Sequence, residues 1–255
     1  MFNGFKNPRF LFVMLLLLAL LLSSCATSRY GRTYGGTRKP GFGHSQTNRP
    51  YQQPHTNRWS VQPRQGSSWV KDNNPSLWIS QHSRVQHFYR YYDSTITVEK
   101  ALQRGQRYLP AIMEIFRRKR LPLELAFLPM VESVFINDAD SGNAKGMWQF
   151  TPQTAEHMGL RVGMMVDERL NWRKATEAAA EYLDQLGQRF NYDWALALAA
   201  YNGGPGYMEK HINAQRSSDF FRLQLRKETY EYVPKFVAML QVAKEKFPRL
   251  LMARR

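Results

Sequence analysis

The sequence is poor in cysteine and has no apolar run long enough for a comfortable membrane span. Its 255 residues include a single cysteine, Cys25, so an internal disulfide is excluded and the folded part must be held together by its core. The longest apolar run, residues 10–22, has 13 residues, whereas a transmembrane helix needs about 20. No zinc-finger spacing is present, and we predict neither a metal nor a cofactor.

Acidic residues are scarce in the first 92 positions. This part holds twelve Lys and Arg but only one acidic residue, Asp72, so most of the net charge of +16 lies there. Such a field favours an anionic polymer, a membrane surface or nucleic acid as a partner. We predict no nucleic-acid binding, because no aromatic-basic platform motif is present and the chain begins with an export signal.

Residues 1–24 have the pattern of a secretory signal peptide, with two basic residues before the apolar run. The segment from Leu22 to Cys25 resembles the processing site of bacterial lipoproteins. This resemblance implies that Cys25 becomes the lipidated first residue of the mature protein. Since Ala26 follows it, the resemblance also implies an outer-membrane lipoprotein that faces the periplasm. An ordinary signal peptide with a chance cysteine is the alternative.

Residues 25–75 are rich in Gly, Ser, Pro, Gln, Asn and Arg and show no helical or strand period. This composition predicts a disordered, basic tether. The tether would give the domain reach from the membrane and could attract anionic lipid or wall polymer. A spacer without a binding role is the simpler interpretation.

Residues 76–255 show apolar positions at three- and four-residue spacing and no alternating strand pattern, which predicts an all-α domain. We expect helix N-caps at Ser76, Thr151 and Asp193. The predicted helices cover residues 77–92, 97–120, 152–158, 175–190, 194–201 and 229–247.

The segment 123–133 is an apolar run that ends in a carboxylate, Glu132. Burial beside apolar residues raises the pKa of a carboxyl group, and a general acid that works near neutral pH requires such a pKa. Glu132 is therefore the candidate catalytic residue. A glutamate that only caps or pairs at a helix end is the structural alternative.

Three more polar and aromatic clusters follow, over residues 146–150, 200–204 and 228–235. The second one ends an apolar helix with Tyr201 and Asn202. Both polar groups need partners if that helix is buried, and a cleft that holds a polar ligand would supply them.

In this order and spacing, the clusters resemble the soluble lytic transglycosylase family over roughly residues 76–247. The resemblance implies a mainly helical, lysozyme-like transglycosylase domain over residues 76–255 that acts on peptidoglycan glycan strands. LysM repeats known in the family are not found before the sequence ends at Arg255. Affinity for the wall is therefore expected from the cleft, the anchor or the basic tether; protein partners are not predicted.

The resemblance assigns the catalytic role to Glu132 alone. It also implies a set of substrate-binding residues, namely Ser133, Ser141, Met147, Gln149, Tyr201, Asn202, Glu228 and Tyr232. The loop from Ser141 to Gly146 is one residue shorter than usual in the family, which bears mainly on the placement of Ser141.

The implied reaction cleaves the β-1,4 bond between N-acetylmuramic acid and N-acetylglucosamine and leaves a 1,6-anhydro end. Most glycosidases use two carboxylates, however. If Asp138 or Asp140 faced Glu132, a lysozyme-like muramidase that uses water would be possible. We expect both aspartates to be loop residues. A non-catalytic wall-binding protein is a third interpretation, disfavoured by the intact motifs.

Overall fold

The computed structural model describes residues 80–248. Cys25, the predicted signal peptide, the predicted tether and Ser76 lie outside this range, so the predictions made for them stay predictions. Within residues 80–248, no helix is long and apolar enough to cross a membrane.

The described part of the chain is built from helices, and its only strand-like pairings are isolated bridges. The predicted all-α class is thereby confirmed for residues 80–248. The α-helices are α1 Ser83–Asp93, α2 Thr97–Gly105, α3 Leu109–Arg118, α4 Pro129–Glu132, α5 Pro152–His157, α6 Trp172–Arg189, α7 Trp194–Gly203, α8 Pro205–Gln215 and α9 Lys227–Lys246. Short 3₁₀ helices cover Leu123–Phe127, Glu168–Leu170 and Phe220–Arg222.

Two of the predicted helix N-caps are confirmed. The Thr151 hydroxyl accepts a hydrogen bond of 3.2 Å from the backbone N–H of Thr154 at the start of α5. At the start of α7, the Asp193 carboxylate accepts bonds of 3.0 and 3.1 Å from the N–H groups of Ala195 and Leu196. Each side chain satisfies backbone donors that have no partner inside the helix.

The prediction of one helix over residues 97–120 was wrong, because α2 and α3 are separate. Proline lies in the first turn of α3 as Pro110. It lacks the N–H that would continue α2, and its ring would collide with the carbonyl group one turn earlier. The chain therefore turns between the two helices, where the Tyr108 N–H bonds to the Gly105 carbonyl at 2.8 Å.

Two other boundaries differ from expectation. Helix α1 begins at Ser83, and the His82 imidazole accepts a bond of 3.2 Å from the Arg84 N–H. Helix α8 was not predicted. Gly204, with φ at +90°, ends α7, and Pro205 begins α8 at the very next residue. A proline in the first turn costs nothing there, because its missing N–H would have no helical partner.

Helix α7 lies at the centre of the core. Its residues from Trp194 to Ala200 are all buried, as its apolar character predicted. It packs against α6, α8 and α9, and α9 also packs against α1 and α4. The last turn of α7, the end of α4 and the first half of α9 carry the polar residues of the predicted site.

Candidate active site

Glu132 is the last residue of α4 because the backbone reverses immediately after it. Val134 and Phe135 have φ values of +47° and +59°, which a helix cannot continue. The Phe135 ring is fully buried and holds this turn in the core. The glutamate side chain is left at the helix end, partly exposed among otherwise apolar neighbours.

The carboxyl group of Glu132 accepts a short hydrogen bond from the Tyr232 hydroxyl, which comes from α9. The pKa of Glu132 is raised to about 8: burial is the largest cause, the hydrogen bond from Tyr232 lowers the pKa, and the negative charge of Glu228 raises it. Near neutral pH the group is therefore mostly a carboxylic acid. It can donate a proton, and one hydrogen bond is ready to stabilise the carboxylate that remains.

Two tyrosines flank the carboxyl group. Burial, and then the charge of Glu132, raise the pKa of both Tyr201 and Tyr232 well above the usual value. Both hydroxyls therefore remain neutral hydrogen-bond donors. Tyr201 donates at 2.8 Å to the backbone carbonyl of Trp148, which ties the end of α7 to the loop at residues 146–150.

A side-chain network connects the end of α7 with the start of α9. The Asn202 amide donates to Glu228 at 3.2 Å, and its carbonyl oxygen accepts a bond of 2.8 Å from the Thr229 hydroxyl. Thr229 is fully buried and also accepts a bond of 3.1 Å from Arg226. The network fixes the orientation of the Asn202 amide. Thr229 and Arg226 were missed as site residues, although Thr229 directly follows the predicted Glu228.

Gln149 holds the loop at residues 146–150 from within. Its backbone has a φ of +48°, and its amide donates to the carbonyls of Gly146 at 2.8 Å and Ala139 at 3.3 Å. Gln149 is partly exposed, and its amide oxygen takes no part in these two bonds.

Ser133 and Met147 lie in the interior. The buried Ser133 hydroxyl donates at 2.8 Å to the Met147 carbonyl, and the Met147 side chain is fully buried. Neither side chain is available to a ligand in this structure. Their observed contact instead fastens the loop at residues 146–150 to the end of α4.

Ser141 lies on an exposed turn, where its hydroxyl bonds to the carbonyl and N–H of Ala144 at 3.1 and 3.2 Å. Asp140 stabilises the same turn. It accepts a bond of 2.7 Å from the Gly142 N–H, which lowers its pKa, and it pairs with Lys145 at 3.1 Å. The expectation that Asp140 is a turn residue agrees with this geometry, and the carboxylate whose charge acts on Glu132 is Glu228 instead.

The comparison with known proteins agrees with this arrangement. Residues 110–223 match the family model described as Transglycosylase SLT domain. This part of the chain is similar to the lytic transglycosylase family. The chain is 38% identical over 146 residues to membrane-bound lytic murein transglycosylase D of Escherichia coli (strain K12), a match that covers 55% of this chain and 32% of that protein.

Two further similarities are more limited. Peptidoglycan transglycosylase gp16 of Escherichia phage T7 is 40% identical over 92 residues, which are 35% of this chain and 7% of that protein. The X-ray structure of an inactive mutant of lytic transglycosylase Slt from Pseudomonas aeruginosa matches with a TM-score of 0.43 and 22% identity, over 55% of this chain and 24% of that one. The chain spans about a third of the length of the E. coli relative.

The loop at residues 146–150 is supported by a buried ion pair that sequence reasoning missed. The Arg169 guanidinium pairs with both oxygens of Asp167, at 2.8 and 2.7 Å, and donates to the Phe150 carbonyl at 3.2 Å. The backbone carbonyl of Arg169 lies against Gly146, where an added Cβ would come within 2.1 Å of it. Gly146 also has a φ of +82°. No sequence signal placed Arg169 beside this loop.

The same loop is anchored on its other side by a buried tryptophan. The Trp148 indole N–H donates at 2.9 Å to the Thr176 hydroxyl on α6, and the ring stacks on Phe116 at 5.7 Å. Among residues 80–248, no group of three or more metal-binding side chains comes together.

Proposed function

We propose that this protein is a peptidoglycan lytic transglycosylase in which Glu132 acts first as the acid and then as the base. The observation that carries the proposal is the Glu132 carboxyl group, whose pKa is raised to about 8 and which is held by the Tyr232 hydroxyl at the end of α4. The names of the E. coli and phage T7 relatives support murein, or peptidoglycan, as the substrate class.

In the first step, protonated Glu132 gives its proton to the glycosidic oxygen between N-acetylmuramic acid and N-acetylglucosamine. The bond from C1 of the muramic residue to this oxygen breaks, and positive charge develops on C1. The hydrogen bond from Tyr232 stabilises the carboxylate as it forms. The negative charge of Glu228 favours the cationic transition state.

In the second step, the Glu132 carboxylate removes the proton from the C6 hydroxyl of the same muramic residue. At the same time, the C6 oxygen attacks C1. A 1,6-anhydro ring forms, no water is consumed, and Glu132 is protonated again for the next cycle. The nucleophile and the electrophile belong to one sugar, which gives a high effective concentration. A residue that serves both steps needs a pKa near the working pH, as Glu132 has.

The remaining predicted residues have two kinds of role in this proposal. Gln149 and Asn202 are partly exposed and Glu228 is exposed, and we expect these three residues, together with Ser141 on its exposed turn, to bind the sugar hydroxyl and acetamido groups. Three other residues position the site, namely Tyr201, Ser133 and Met147. The Tyr201 and Ser133 hydroxyls donate to backbone carbonyls of the loop at residues 146–150, and Met147 belongs to that loop.

A muramidase that uses water is the second candidate function. The observation in its favour is Glu228, a carboxylate close enough to raise the pKa of Glu132. With a water molecule between them, the two groups would form the pair of carboxylates that hydrolytic glycosidases use. The hydrogen bond from Asn202 keeps the Glu228 carboxylate oriented toward α7. This orientation favours a role for Glu228 in binding the substrate over a role in activating water.

The location is also a proposal. Residues 1–24 would direct export, lipidated Cys25 would anchor the protein in the outer membrane facing the periplasm, and residues 25–75 would let the domain reach the glycan strands. Two or more acyl chains are needed for stable anchoring, and a lipoprotein cysteine supplies them. The Cys25→Ser variant should appear in the soluble periplasmic fraction if signal cleavage still occurs.

Mass spectrometry of the products from purified peptidoglycan tests the reaction. A lytic transglycosylase leaves muramic ends that are one water lighter than reducing ends. Glu132→Gln should abolish their formation, whereas Glu156→Gln, the same change on an exposed surface of α5, should keep it. Reducing ends as the main product would favour the muramidase, and undiminished activity of Glu132→Gln would exclude Glu132 as the catalytic residue.

A further inference from the structure

Residues 161–171 form a loop that carries an apolar tip on the surface of the domain. Val162 pairs with Asp167 as an antiparallel bridge, and the Gly163 N–H donates to the Val166 carbonyl at 2.9 Å. The turn that these contacts close holds Met164 and Met165, which are 102% and 94% exposed. Val166 beside them is also exposed. Methionines that face solvent this completely are unusual unless they bind something.

Hydrogen bonds and ion pairs hold the base of this loop in a defined conformation. The buried Glu168 carboxylate accepts bonds from the Arg161 N–H at 2.9 Å, from the Arg161 guanidinium at 2.8 Å and from Lys174 at 2.6 Å. The buried pair of Arg169 with Asp167 closes the other side. The loop therefore shares its support with the active-site loop that Arg169 holds.

Positive charge predominates at the base of the loop that carries the apolar tip. Residues 161–174 include four Lys and Arg residues and two carboxylates, and both carboxylates are engaged with cations at the base. The side chains of Arg161 and Lys174 remain largely exposed, and Arg173 is exposed as well. An exposed apolar tip with exposed cations at its base suits the interface of an anionic bilayer, where the apolar side chains meet acyl chains and the cations meet headgroups.

We propose that the tip formed by Met164, Met165 and Val166 inserts into a lipid surface that carries anionic headgroups. Thioether and aliphatic side chains offer no donors for sugar hydroxyls, whereas they suit acyl chains. The area of the tip is small, so it binds weakly by itself. It becomes effective when another segment keeps the domain near the membrane, because the second contact is then intramolecular. Such insertion would fix the orientation of the active-site loop relative to the membrane.

Site-directed spin labelling of the full chain tests the proposal. Since Cys25 is the only cysteine, a Cys25→Ser background allows one label at position 165, through Met165→Cys, or at position 96, through Ile96→Cys. The full chain is used with residues 1–24 uncleaved, so that the apolar run at residues 10–22 replaces the lipid anchor as the segment that keeps the domain at the vesicle. Ile96 is a matched control, because it is an apolar residue that is 58% exposed on another element. The collision rates of each label with oxygen and with a water-soluble nickel chelate are measured with vesicles of phosphatidylethanolamine and phosphatidylglycerol.

With these vesicles, we expect the ratio of oxygen to nickel collisions to rise at position 165 and to stay at its aqueous value at position 96. Equal ratios at both positions, whether high or low, would overturn the proposal. So would protection at position 165 by peptidoglycan fragments without vesicles, which would assign the tip to glycan binding. The measurement requires no turnover, so its outcome is independent of the proposed catalytic function.

Discussion

At Glu132, burial and hydrogen bonding shift the same pKa in opposite directions, and burial has the larger effect. The first chemical step needs the protonated form. We therefore expect kcat/KM for peptidoglycan fragments to be level in the neutral range and to fall as the pH rises through about 8. A profile that instead falls with decreasing pH between 7 and 5 would show that the carboxylate, rather than the acid, begins the reaction.

A second prediction concerns Tyr232, whose hydroxyl donates to the Glu132 carboxyl group. Its hydroxyl lowers the pKa of Glu132, so Tyr232→Phe should move the alkaline limb of the pH profile to higher pH. It should also reduce kcat, because the carboxylate formed in the first step loses a hydrogen bond. We expect a loss of about 10- to 100-fold, since a hydrogen bond to a charged group contributes about 1.5–3 kcal/mol.

The control for this change is Tyr92→Phe, which removes a buried hydroxyl on α1. It should leave the alkaline limb where it is in the unmodified protein. If both variants moved the limb equally, the shift would reflect a general change in the fold and Tyr232 would have no special effect on Glu132.

Individual residues could be predicted when a motif fixed both their type and their place in the chain. Glu132 and Tyr232 were selected in this way, and the structure brings their side chains together although 100 positions separate them. The side-chain direction was not predictable. Ser133 and Met147 belong to the same motifs, but they point inward, because the backbone reversal after Glu132 decides which side chains face the core.

Among the elements, the loop at residues 146–150 depends on a glycine for two reasons that can be separated. Gly142 and Gly146 have nearly the same φ, +83° and +82°, but an added Cβ has open space at Gly142 and a carbonyl oxygen at 2.1 Å at Gly146. Gly142→Ala should cost about 1–2 kcal/mol of stability for the backbone conformation alone. Gly146→Ala should cost more, about 3–5 kcal/mol, and should also reduce activity.

Urea denaturation of both variants, together with their specific activities, checks this prediction. Gly142→Ala serves as the control for backbone strain, since both variants add one methyl group at nearly the same φ. Equal losses of stability would mean that the contact between Gly146 and Arg169 relaxes at no cost, and the supporting role of Arg169 would have to be abandoned.

Helix ends were predictable when one side chain could cap the backbone, as at Thr151 and Asp193. They were not predictable when the apolar period continued through a break. Apolar spacing runs on across α2 and α3, and only Pro110 marks the interruption. The positive φ of Gly204 redirects the chain into α8 at once, which no apolar period indicates.

For the whole domain, the raised pKa of Glu132 is also a cost to folding. The unfolded carboxyl titrates near 4.5 and the folded one near 8, so the folded state binds the proton more tightly. The stability that this proton contributes is complete below pH 4.5 and is lost as the pH rises through 8. Glu132→Gln cannot lose a proton, so its stability relative to the unmodified protein should increase from pH 5 to pH 9.

The gain at pH 9 should be on the order of 1–3 kcal/mol, smaller than the full shift implies because solvent reaches part of the carboxyl. Glu168→Gln supplies the control of opposite sign, since hydrogen bonds lower the pKa of Glu168 to about 2. That variant should be less stable by a constant amount between pH 5 and pH 9. Urea denaturation at both pH values measures each difference, and a gain for Glu132→Gln that is the same at pH 5 and pH 9 would show that folding leaves the pKa of Glu132 unchanged.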